Sequence, residues 1–418
     1  MNAEIIAVGS ELLTPDRLDT NSLFLTGALN KIGIRVIRKA VVGDDREEMR
    51  DAFRTALDRA DVVIASGGLG PTEDDLTRET VAELLGRRLL RDEAILRQLQ
   101  ERFRRFGRAM PEANTRQAMV PEGATVLQNP KGTAPGLWLE ARNRIVVLLP
   151  GPPAELTAMF EQEARPRLEK FSPGVRLFTR ELRNVGLPES EVEQRVSAIY
   201  REYPEVQITI LAVSGEIHLH PRVWSESAAL ANRMLDDMVE RFTIALGENL
   251  YTTTGETLEE VVAAELQRHH ATIAVAESCT GGLLAARLTN VPGSSAYFRG
   301  GVVSYSNDLK TAWVGVPTEL LEAKGAVSSE VAAAMAEGVR HNANATIGVG
   351  ITGIAGPGGG TAEKPVGLVH IAIVDAQGQQ KERAFTFPGD RDRIRHFAAQ
   401  SALDIVRRYL LYAAHPKN

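Results

Sequence analysis

Short apolar runs alternate with amphipathic stretches at both ends of the chain. In the first third, the runs IIAVG, VVIAS and RIVVLLPG are separated by helical patterns such as NSLFLTGALNK. Continuous apolar strands separated by helices predict a parallel sheet that is covered on both faces. From Leu258 onward the same alternation returns, with TIAVAES, ATIGVGITG and VGLVHIAIVD as strands. The sequence therefore predicts two three-layer α/β/α domains with mainly parallel sheets.

Between these two domains the pattern changes to strands with alternating polar and apolar positions, VQITILAV and EIHLHPRVW, accompanied by two helical stretches. The Ser214-Gly215 pair between the alternating strands predicts a β-hairpin, so we expect a small α+β module that joins the two domains. The polar, turn-rich stretch from Glu248 to Thr257 predicts a linker. The expected domains are residues 1–170, 175–247 and 255–418.

Composition narrows the class of protein. A chain of 418 residues is too long for one hydrophobic core. Its 48 basic and 54 acidic residues give a formal net charge of -6, which argues against direct contact with nucleic acid. A single cysteine cannot form an internal disulfide, which suits a reducing compartment. Because no run reaches the roughly 18 apolar residues of a membrane span, we expect a soluble cytoplasmic protein without membrane contact.

A glycine-rich loop, SGGLGPTEDDLT, follows the strand VVIAS in the first domain. Ligands of open parallel sheets bind beyond the carboxyl ends of the strands, and glycines let the backbone approach an anion. The acidic residues Glu73, Asp74 and Asp75 have two interpretations. They either complement a helix N-terminus that Thr72 caps, or hold a divalent cation over a pyrophosphate. Two further Gly/Pro loops, at 129–136 and 149–155, favour binding.

Five separated motifs, GSELL, DTNS, VGDD, SGGLGPTEDDLT and LPGPP, resemble the molybdopterin-binding domain at the N-terminus of the CinA (competence/damage-inducible protein) family. The resemblance covers residues 1–170 and implies cleavage of ADP-ribose to AMP and ribose 5-phosphate. It implies a divalent cation (Mg, Mn or Co) held by Asp44, Asp45 and Asp75. The implied ADP-ribose contacts are Glu11, Asn21, Gly67, Gly68, Gly70, Thr72, Lys131 and Gly151. Where family members often carry glycine after the leucine pair, this chain has Thr14-Pro15-Asp16-Arg17.

The stretch AVAESCTGGLLAARL places Ser278 where an apolar strand turns into a helix, which we expect to begin at about Thr280. The backbone N–H groups of Cys279 to Gly282 are then expected to be free to stabilise an oxyanion. The stretch is not the Gly-x-Ser-x-Gly turn of α/β-hydrolases, so a base must come from elsewhere. Cys279 is a competing nucleophile if its pKa is depressed, or otherwise a small buried residue.

One candidate base follows the strand GGVVSYS. Ser306 or Asn307 is expected to cap a helix with Lys310 in its first turn, where the helix dipole disfavours a positive charge. Lys310 is either a solvent-facing lysine paired with Asp308, or a general base whose pKa is lowered by burial and the dipole. In the second case Tyr305 would relay or hold a proton. The spacing of these residues leaves both interpretations open.

The loop GITGIAGPGGGT follows the strand ATIGVG. It lacks the GKT or GKS ending of a nucleoside-triphosphate loop, so it is interpreted as a phosphate cradle or a mobile lid. Together with AESCTGG and FRGGVVSYSNDLK it resembles the CinA C-terminal domain, over residues 255–415. The resemblance implies deamidation of nicotinamide mononucleotide without a cofactor, with Ser278 as nucleophile and Tyr305 and Lys310 completing the catalytic set. The implied substrate contacts are Cys279, Thr280, Gly281, Gly282, Thr352, Gly353 and Gly356.

These observations predict a bifunctional pyridine-nucleotide salvage enzyme that acts on nicotinamide mononucleotide and ADP-ribose. By the resemblance we also expect a homodimer. One alternative is a binding protein that holds molybdopterin or a nucleotide without turnover. A second is a DNA-uptake accessory protein, against which the acidic net charge speaks. Incubation with both nucleotides, with and without a divalent metal, distinguishes these alternatives.

Overall fold

The structure is a computed structural model of the chain, and it describes residues 1–105, 107–141, 143–172 and 174–414. The described residues fall into two compact units. The first contains residues 1–178 and 224–231, and the second contains residues 179–223 and the described residues from 232 onward.

The strands are short, as the apolar runs predict. They are β1 (Asn2–Val8), β2 (Arg35–Val42), β3 (Val62–Ser66), β4 (Leu89–Arg91), β5 (Met119–Pro121), β6 (Thr125–Leu127), β7 (Gly136–Ala141), β8 (Arg144–Leu149), β9 (Arg176–Thr179), β10 (Leu182–Val185), β11 (Gln207–Val213), β12 (Glu216–Ser225), β13 (Leu250–Thr252), β14 (Ile273–Glu277), β15 (Phe298–Val303), β16 (Ile347–Gly353), β17 (Leu368–Asp375) and β18 (Gln380–Thr386).

Helices alternate with the strands in the first and last thirds of the chain. They are α1 (Thr20–Lys31), α2 (Arg46–Arg59), α3 (Thr77–Leu84), α4 (Glu93–Arg105), α5 (Pro153–Met159), α6 (Arg165–Leu168), α7 (Glu189–Tyr200), α8 (Ala228–Leu246), α9 (Leu258–Arg268), α10 (Leu283–Asn290), α11 (Asn307–Val314), α12 (Thr318–Lys324), α13 (Ser329–Asn342) and α14 (Arg391–Ala414). Among the described residues, no helix combines the length and the apolar character that crossing a membrane requires.

The first unit is built on a six-stranded sheet with the order β2-β1-β3-β8-β7-β6. The first four strands run parallel, and β7 and β6 are antiparallel to their neighbours. Residues of β3 alternate between two cores: Val62 and Ile64 join the cluster on one face, whereas Val63 and Ala65 join the cluster on the other. Both faces are therefore covered, which is why the first four residues of β3, Val62 to Ala65, are all apolar.

The second unit begins with an antiparallel sheet in which β11, β12, β10 and β13 lie in that order. The predicted hairpin is confirmed, since Ser214 and Gly215 join β11 to β12 with φ angles of 48° and 87°. The predicted linker is a structured segment: it contains β13, which pairs with β10. In addition, Arg407 Nη2 donates a hydrogen bond to the Glu248 carbonyl over 2.6 Å.

The rest of the second unit is built on the sheet β15-β14-β16-β17-β18. Strand β14 is parallel to both of its neighbours, and β17 and β18 continue the sheet in antiparallel fashion. Residues Ile273 and Val275 of β14 join one core cluster, whereas Ala274 and Ala276 join a second. The predicted α/β class is confirmed for both large domains, although each sheet is mixed. The carboxyl end of central strand β14 leads directly into the turn that carries Ser278.

Candidate functional site

Ser278 follows β14 and is held in place by the next strand. Its backbone N–H donates to the Ile351 carbonyl of β16 over 2.9 Å, and only 7% of the residue is exposed. The chain then turns through Gly281 and Gly282, whose φ angles of 63° and 95° are unfavourable for residues with a side chain. Helix α10 begins at Leu283, three residues later than predicted, because these glycines belong to the turn.

The carboxylate of Glu277 caps this turn. Its two oxygens accept backbone N–H groups from Gly282, Leu284 and Ala285 at 2.8–3.1 Å, and only 1% of the residue is exposed. The N–H of Gly281 donates to the Ser278 carbonyl. The expectation that all N–H groups from Cys279 to Gly282 are free is therefore wrong. Of the four N–H groups, those of Cys279 and Thr280 remain, and both lie beside the Cys279 sulfur atom.

Lys310 lies beside the Ser278 hydroxyl. It belongs to the first turn of α11, which Ser306 caps by accepting the N–H of Leu309. The Lys310 Nζ atom is 3.3 Å from Ser278 Oγ and 3.1 Å from the Tyr305 carbonyl, and only 1% of the residue is exposed. The alternative of a solvent-facing lysine paired with Asp308 is wrong.

The surroundings of Lys310 and Cys279 shift their protonation in different ways. Burial lowers the pKa of the Lys310 ammonium group, which favours the neutral amine that a general base needs. Burial raises the pKa of the Cys279 thiol to about 12, although neighbouring backbone N–H groups oppose that rise. Cys279 is 4% exposed and lies in the apolar core, so it is a buried thiol and not a thiolate.

The Tyr305 side chain faces outward and connects to the glycine-rich loop. It is 57% exposed, and its hydroxyl accepts a hydrogen bond from Arg391 Nη2 over 3.1 Å. Arg391 Nη1 donates to the Gly356 carbonyl over 2.9 Å. Sequence reasoning missed Arg391, which opens the last helix without any motif around it. It also missed Glu277, for which the signal was a carboxylate at the end of an otherwise apolar strand.

Several of the implied substrate contacts have structural roles. The Thr352 hydroxyl donates to the Ala326 carbonyl over 2.7 Å, and the Thr280 carbonyl accepts from Arg395. A Cβ atom at Gly353 would lie 2.7 Å from the Leu368 carbonyl oxygen, and one at Gly356 would lie 2.6 Å from Val366. Thr280 and Thr352 are buried, so their side chains do not form an open binding surface.

In the first unit, three of the implied ADP-ribose contacts line one cavity. Glu11, Asn21 and Gly151 surround a space of about 650 Å³ at the carboxyl ends of β1 and β3, which Ser66 also lines. The Asn21 side chain donates to the Gly151 carbonyl over 2.7 Å, which fixes two of these loops to each other. This is where parallel sheets bind ligands.

The loop from Gly67 to Asp75 is held by its own packing. A Cβ atom at Gly67 or Gly68 would lie 2.1 Å from the Val8 carbonyl oxygen or from Thr77 Oγ1, so both positions require glycine. Asp75 Oδ2 accepts the backbone N–H of Thr72 over 3.0 Å and is also bonded to the Thr72 hydroxyl. Thr72 is not the cap of α3, because that helix begins only at Thr77 and has no side-chain cap.

Two arginines anchor the same loop. The Leu69 carbonyl accepts from Arg78, which is 1% exposed, and the carbonyls of Thr72 and Asp75 accept from Arg116. A Cβ atom at Gly70 would lie 2.4 Å from Asp75 Oδ2. The glycines and acidic residues of this loop therefore contribute to its own folding.

The three aspartates that were expected to hold a metal have separate local roles. Asp44 Oδ2 accepts the Ser10 N–H, and Asp45 Oδ1 caps α2 by accepting two backbone N–H groups. Among the described residues, Asp44, Asp45 and Asp75 do not form a group whose ligand atoms all lie within 4.8 Å of one another. The expected ligand set does not come together in this structure.

Lys131 lies apart from the other implied ADP-ribose contacts. It is exposed, and its carbonyl accepts from Arg102 Nη2 over 3.0 Å. Its loop borders a different cavity of about 420 Å³, which Asn129 lines together with Arg102, Arg105 and other residues of α4. The structure thus places the implied ADP-ribose contacts at two locations.

Three family models match successive parts of the chain. The model described as a probable molybdopterin binding domain matches residues 4–170. The model of the damage-inducible protein CinA KH domain matches residues 179–252, and that of the CinA C-terminal domain matches residues 255–410.

Two relatives are similar to this chain over nearly the whole length of both proteins. A CinA-like protein of Koribacter versatilis is 50% identical and covers 98% of this chain and 100% of its own. A CinA-like protein of Acidobacterium capsulatum is 48% identical with the same coverage. Among solved structures, the competence/damage inducible protein CihA of Agrobacterium tumefaciens is 41% identical. It covers 37% of this chain and 93% of its own, with a TM-score of 0.36.

Proposed function

The chain belongs to the CinA family, and from this premise we propose that its C-terminal domain hydrolyses nicotinamide mononucleotide to nicotinic acid mononucleotide and ammonia. One observation carries the proposal. The buried Lys310 Nζ atom lies 3.3 Å from Ser278 Oγ. The contacts of this amine among the described residues are the Ser278 hydroxyl and the Tyr305 carbonyl, and neither is a carboxylate. Burying a lysine without a counterion is energetically unfavourable. A role as the base that deprotonates Ser278 explains why such a lysine is present.

The chemistry follows from these two groups. Neutral Lys310 takes the Ser278 hydroxyl proton while Oγ bonds to the carboxamide carbon, and the backbone N–H groups of Cys279 and Thr280 stabilise the oxyanion. Lys310 then gives that proton to the leaving nitrogen, the carbon–nitrogen bond breaks, and ammonia departs from a nicotinoyl ester. A water molecule next gives a proton to Lys310 and attacks the ester carbon. The resulting tetrahedral intermediate then collapses, Lys310 returns the proton to Ser278 Oγ, and nicotinic acid mononucleotide is released.

We propose that Arg391 supplies the positive charge that binds the phosphate of the substrate. Its guanidinium group bonds to the Tyr305 hydroxyl and to the Gly356 carbonyl, so it links the catalytic segment to the glycine-rich loop. Arginine is suited to phosphate because its planar donors form paired hydrogen bonds. Tyr305 then positions Arg391 through its side chain and Lys310 through its carbonyl.

The test is single-turnover deamidation followed by mass spectrometry of enzyme trapped in acid. A nicotinoyl adduct on Ser278, absent from Ser278→Ala and slow to form in Lys310→Ala, is the expected result. An adduct on Cys279, or full turnover by Ser278→Ala, contradicts the mechanism. No turnover at all in the full chain would favour a non-catalytic nucleotide-binding protein.

For the N-terminal domain we propose hydrolysis of ADP-ribose to AMP and ribose 5-phosphate with a divalent cation (Mg, Mn or Co). The supporting observation is the cavity lined by Glu11, Asn21 and Gly151 at the carboxyl ends of β1 and β3. The expected metal ligands Asp44, Asp45 and Asp75 do not meet, so we derive no catalytic step through the metal. Turnover of ADP-ribose with and without added cation tests this second activity.

We further propose that the protein forms a homodimer and does not contact nucleic acid directly. The middle module matches a KH model, but its glycines Gly186, Gly215 and Gly247 do not form the Gly-x-x-Gly loop with which KH modules clamp nucleotides. Light scattering of the purified chain tests the dimer. Titration with single-stranded RNA and DNA at moderate salt tests the second statement, and salt-sensitive binding would overturn it.

A further inference from the structure

Three metal-ligating side chains meet on the polar face of the middle module's sheet. Glu181, His218 and His220 each offer one ligand atom, and these atoms all lie within 4.8 Å of one another. His218 and His220 are two residues apart on β12, so both side chains leave the same face of that strand. Glu181 comes directly before β10, which pairs Leu182 with Leu219 in antiparallel register. One step along that register places Glu181 opposite His220.

A carboxylate already orients one of the two imidazoles. The Nε2 atom of His218 lies 2.8 Å from Glu216 Oε2, and the same carboxylate oxygen accepts the Tyr251 hydroxyl over 2.8 Å. Metal-ligating histidines usually donate one ring N–H to a carboxylate, which fixes the ring and leaves the second nitrogen for the metal. With Nε2 engaged by Glu216, Nδ1 is the nitrogen that His218 has available.

We propose that Glu181, His218 and His220 form a binding site for a divalent transition metal of the zinc class. Two imidazoles and one carboxylate are the donors that zinc, cobalt and nickel accept, whereas magnesium and calcium require oxygen ligands. Three ligands leave a further position for water. Ligand atoms on one zinc ion lie roughly 3.3 Å apart, so separations within 4.8 Å can be brought to that value by small side-chain rotations.

Arg183 opposes this site and sets its expected strength. Its Nε and Nη2 atoms donate to Glu181 Oε1 over 3.0 and 2.7 Å, which leaves Oε2 for a metal. The Arg183 guanidinium also repels a cation. Arg222, which lies on β12 with the two histidines, adds a second positive charge nearby. Since the ion pair with Arg183 stabilises Glu181 without a metal, binding is in competition with it, and removing the arginine should strengthen binding.

The site belongs to a network that reaches the last helix. Glu216, which orients His218, also accepts a hydrogen bond from the Gln400 side chain of α14. His396 of α14 lies 2.7 Å from the Ser214 carbonyl at the hairpin. A metal held by Glu181, His218 and His220 would therefore stiffen a polar network that connects the middle module with the C-terminal domain. This gives the site a structural role that is separate from the deamidase chemistry.

The experiment uses untagged full-length protein that has been stripped with a chelator and then titrated with Co²⁺, whose visible absorption reports nitrogen and oxygen ligation. We expect one saturable band that Zn²⁺ removes, after the cobalt bound by the N-terminal domain has been subtracted by comparison with the variant that lacks both histidines. Glu181→Gln, His218→Ala and His220→Ala should each weaken that binding at least about tenfold. His370→Ala is the matched control, because His370 Nδ1 lies 3.2 Å from Glu382 Oε1 in another histidine–carboxylate pair.

Two further variants keep the proposal falsifiable if a ligand variant fails to fold. Arg183→Gln should bind Co²⁺ more tightly than the unchanged chain, whereas a hydrogen-bonded polar cluster without a metal role predicts no gain. Asp75→Ala should retain the band, which separates this site from a metal site in the N-terminal domain. A band of unchanged intensity without both histidines, weaker binding by Arg183→Gln, or no saturable band at all would overturn the proposal.

Discussion

The two candidate sites lie at equivalent places, each after a central parallel strand, but their polar groups have different partners. The strand is β14 in one case and β3 in the other. At the C-terminal site, Glu277 satisfies the helix N-terminus, and Lys310 is left buried beside Ser278 without a carboxylate. At the N-terminal site, Asp75 is satisfied by Thr72, and arginines hold the loop.

This difference shows what a ligand-free fold can reveal. A buried amine whose contacts are a hydroxyl and a backbone carbonyl lacks a counterion, so its cost in solvation indicates chemistry. Carboxylates that accept backbone N–H groups are explained by the fold alone. Only a binding or activity measurement with a ligand can show that they also have a function. The predictions below test whether the two sites differ in this way.

The largest effect is expected for the pair Ser278 and Lys310. Ser278→Ala and Lys310→Ala should each lower kcat by roughly three orders of magnitude, and the double variant should be little worse because the two residues act as one unit. Lys310→Arg should be as inactive as Lys310→Ala, since a guanidinium cannot act as a base at neutral pH. Steady-state kinetics with nicotinamide mononucleotide measures this. Near-normal turnover by Lys310→Arg would refute the assignment of the base.

Sequence patterns predicted the strands that carry this site but not their order in the sheet. Strands β14 and β15 are parallel neighbours, and their register pairs Glu277 with Val303, so the segments that follow both strands meet at one edge. The apolar runs predicted both strands but not that they are neighbours, so the approach of Ser278 to Lys310 was expected only from the family resemblance. The capping by Glu277 could not be predicted, since it depends on the backbone angles of Gly281 and Gly282.

Some features of the two sites were mispredicted or missed. They depend on long-range contacts or local backbone geometry that the hydrophobic pattern does not determine. Arg391 reaches Tyr305 across 86 residues, with no motif to mark the contact. Acidic residues after a glycine-rich loop are equally compatible with metal binding and with capping, and Asp45 turned out to be a cap of α2. The alternating apolar pattern did determine which residues enter each core, because burial on two faces leaves few alternatives.

In the N-terminal domain, Asp75→Ala should lower ADP-ribose hydrolysis by about a hundredfold, because Asp75 fixes Thr72 in the loop that follows β3. A chelator should abolish the hydrolysis, as the proposed divalent cation predicts. The deamidase activity of the same sample should persist in the chelator. Asp92→Ala is the matched control, because Asp92 accepts backbone N–H groups at the start of α4 in the same unit. Full ADP-ribose turnover in the chelator would remove the metal from the proposal.

The pH dependence of the deamidase gives a smaller but more specific effect. Because Lys310 must be neutral to act as base, kcat/KM should fall about tenfold per pH unit below its lowered pKa. Measurements should stay above pH 7, where the substrate phosphate, with a pKa of about 6, no longer titrates. A profile whose midpoint lies at or above the ordinary lysine pKa of about 10.4 would contradict a base whose pKa burial has lowered.

The same shift has a consequence for stability. A lysine whose folded-state pKa is lowered binds fewer protons when folded, so stability should rise with pH through the window between the lowered value and the unfolded value of about 10.4. Lys310→Met should therefore be more stable than the unchanged chain near pH 7, with a difference that shrinks as pH rises. Chemical unfolding at several pH values measures the difference. A destabilised Lys310→Met at pH 7 would contradict this sign.

Glu277→Gln should lower deamidase kcat by about tenfold and also lower the unfolding temperature. The amide keeps the size but has only one oxygen, so it cannot accept all three N–H groups, and its own N–H atoms would face donors. Glu259→Gln is the matched control, because Glu259 pairs with Arg287 on the neighbouring helices without reaching the turn. If kcat changes equally in both variants, the effect is loss of stability and not positioning of Ser278.

The smallest effect is expected for Cys279, which is adjacent to Ser278, the proposed nucleophile. Its thiol, with a pKa of about 12, has almost no thiolate at neutral pH, and Cys279→Ala retains the backbone N–H that we assign to the oxyanion. We expect kcat/KM to change less than about threefold and the unfolding free energy to fall by about 1 kcal/mol, since a sulfur atom is lost from a packed core. Kinetics and thermal unfolding of Cys279→Ala measure both. A loss comparable to that of Ser278→Ala would mean that the buried sulfur takes part in the reaction, and the contrast between the two sites would then have to be reinterpreted.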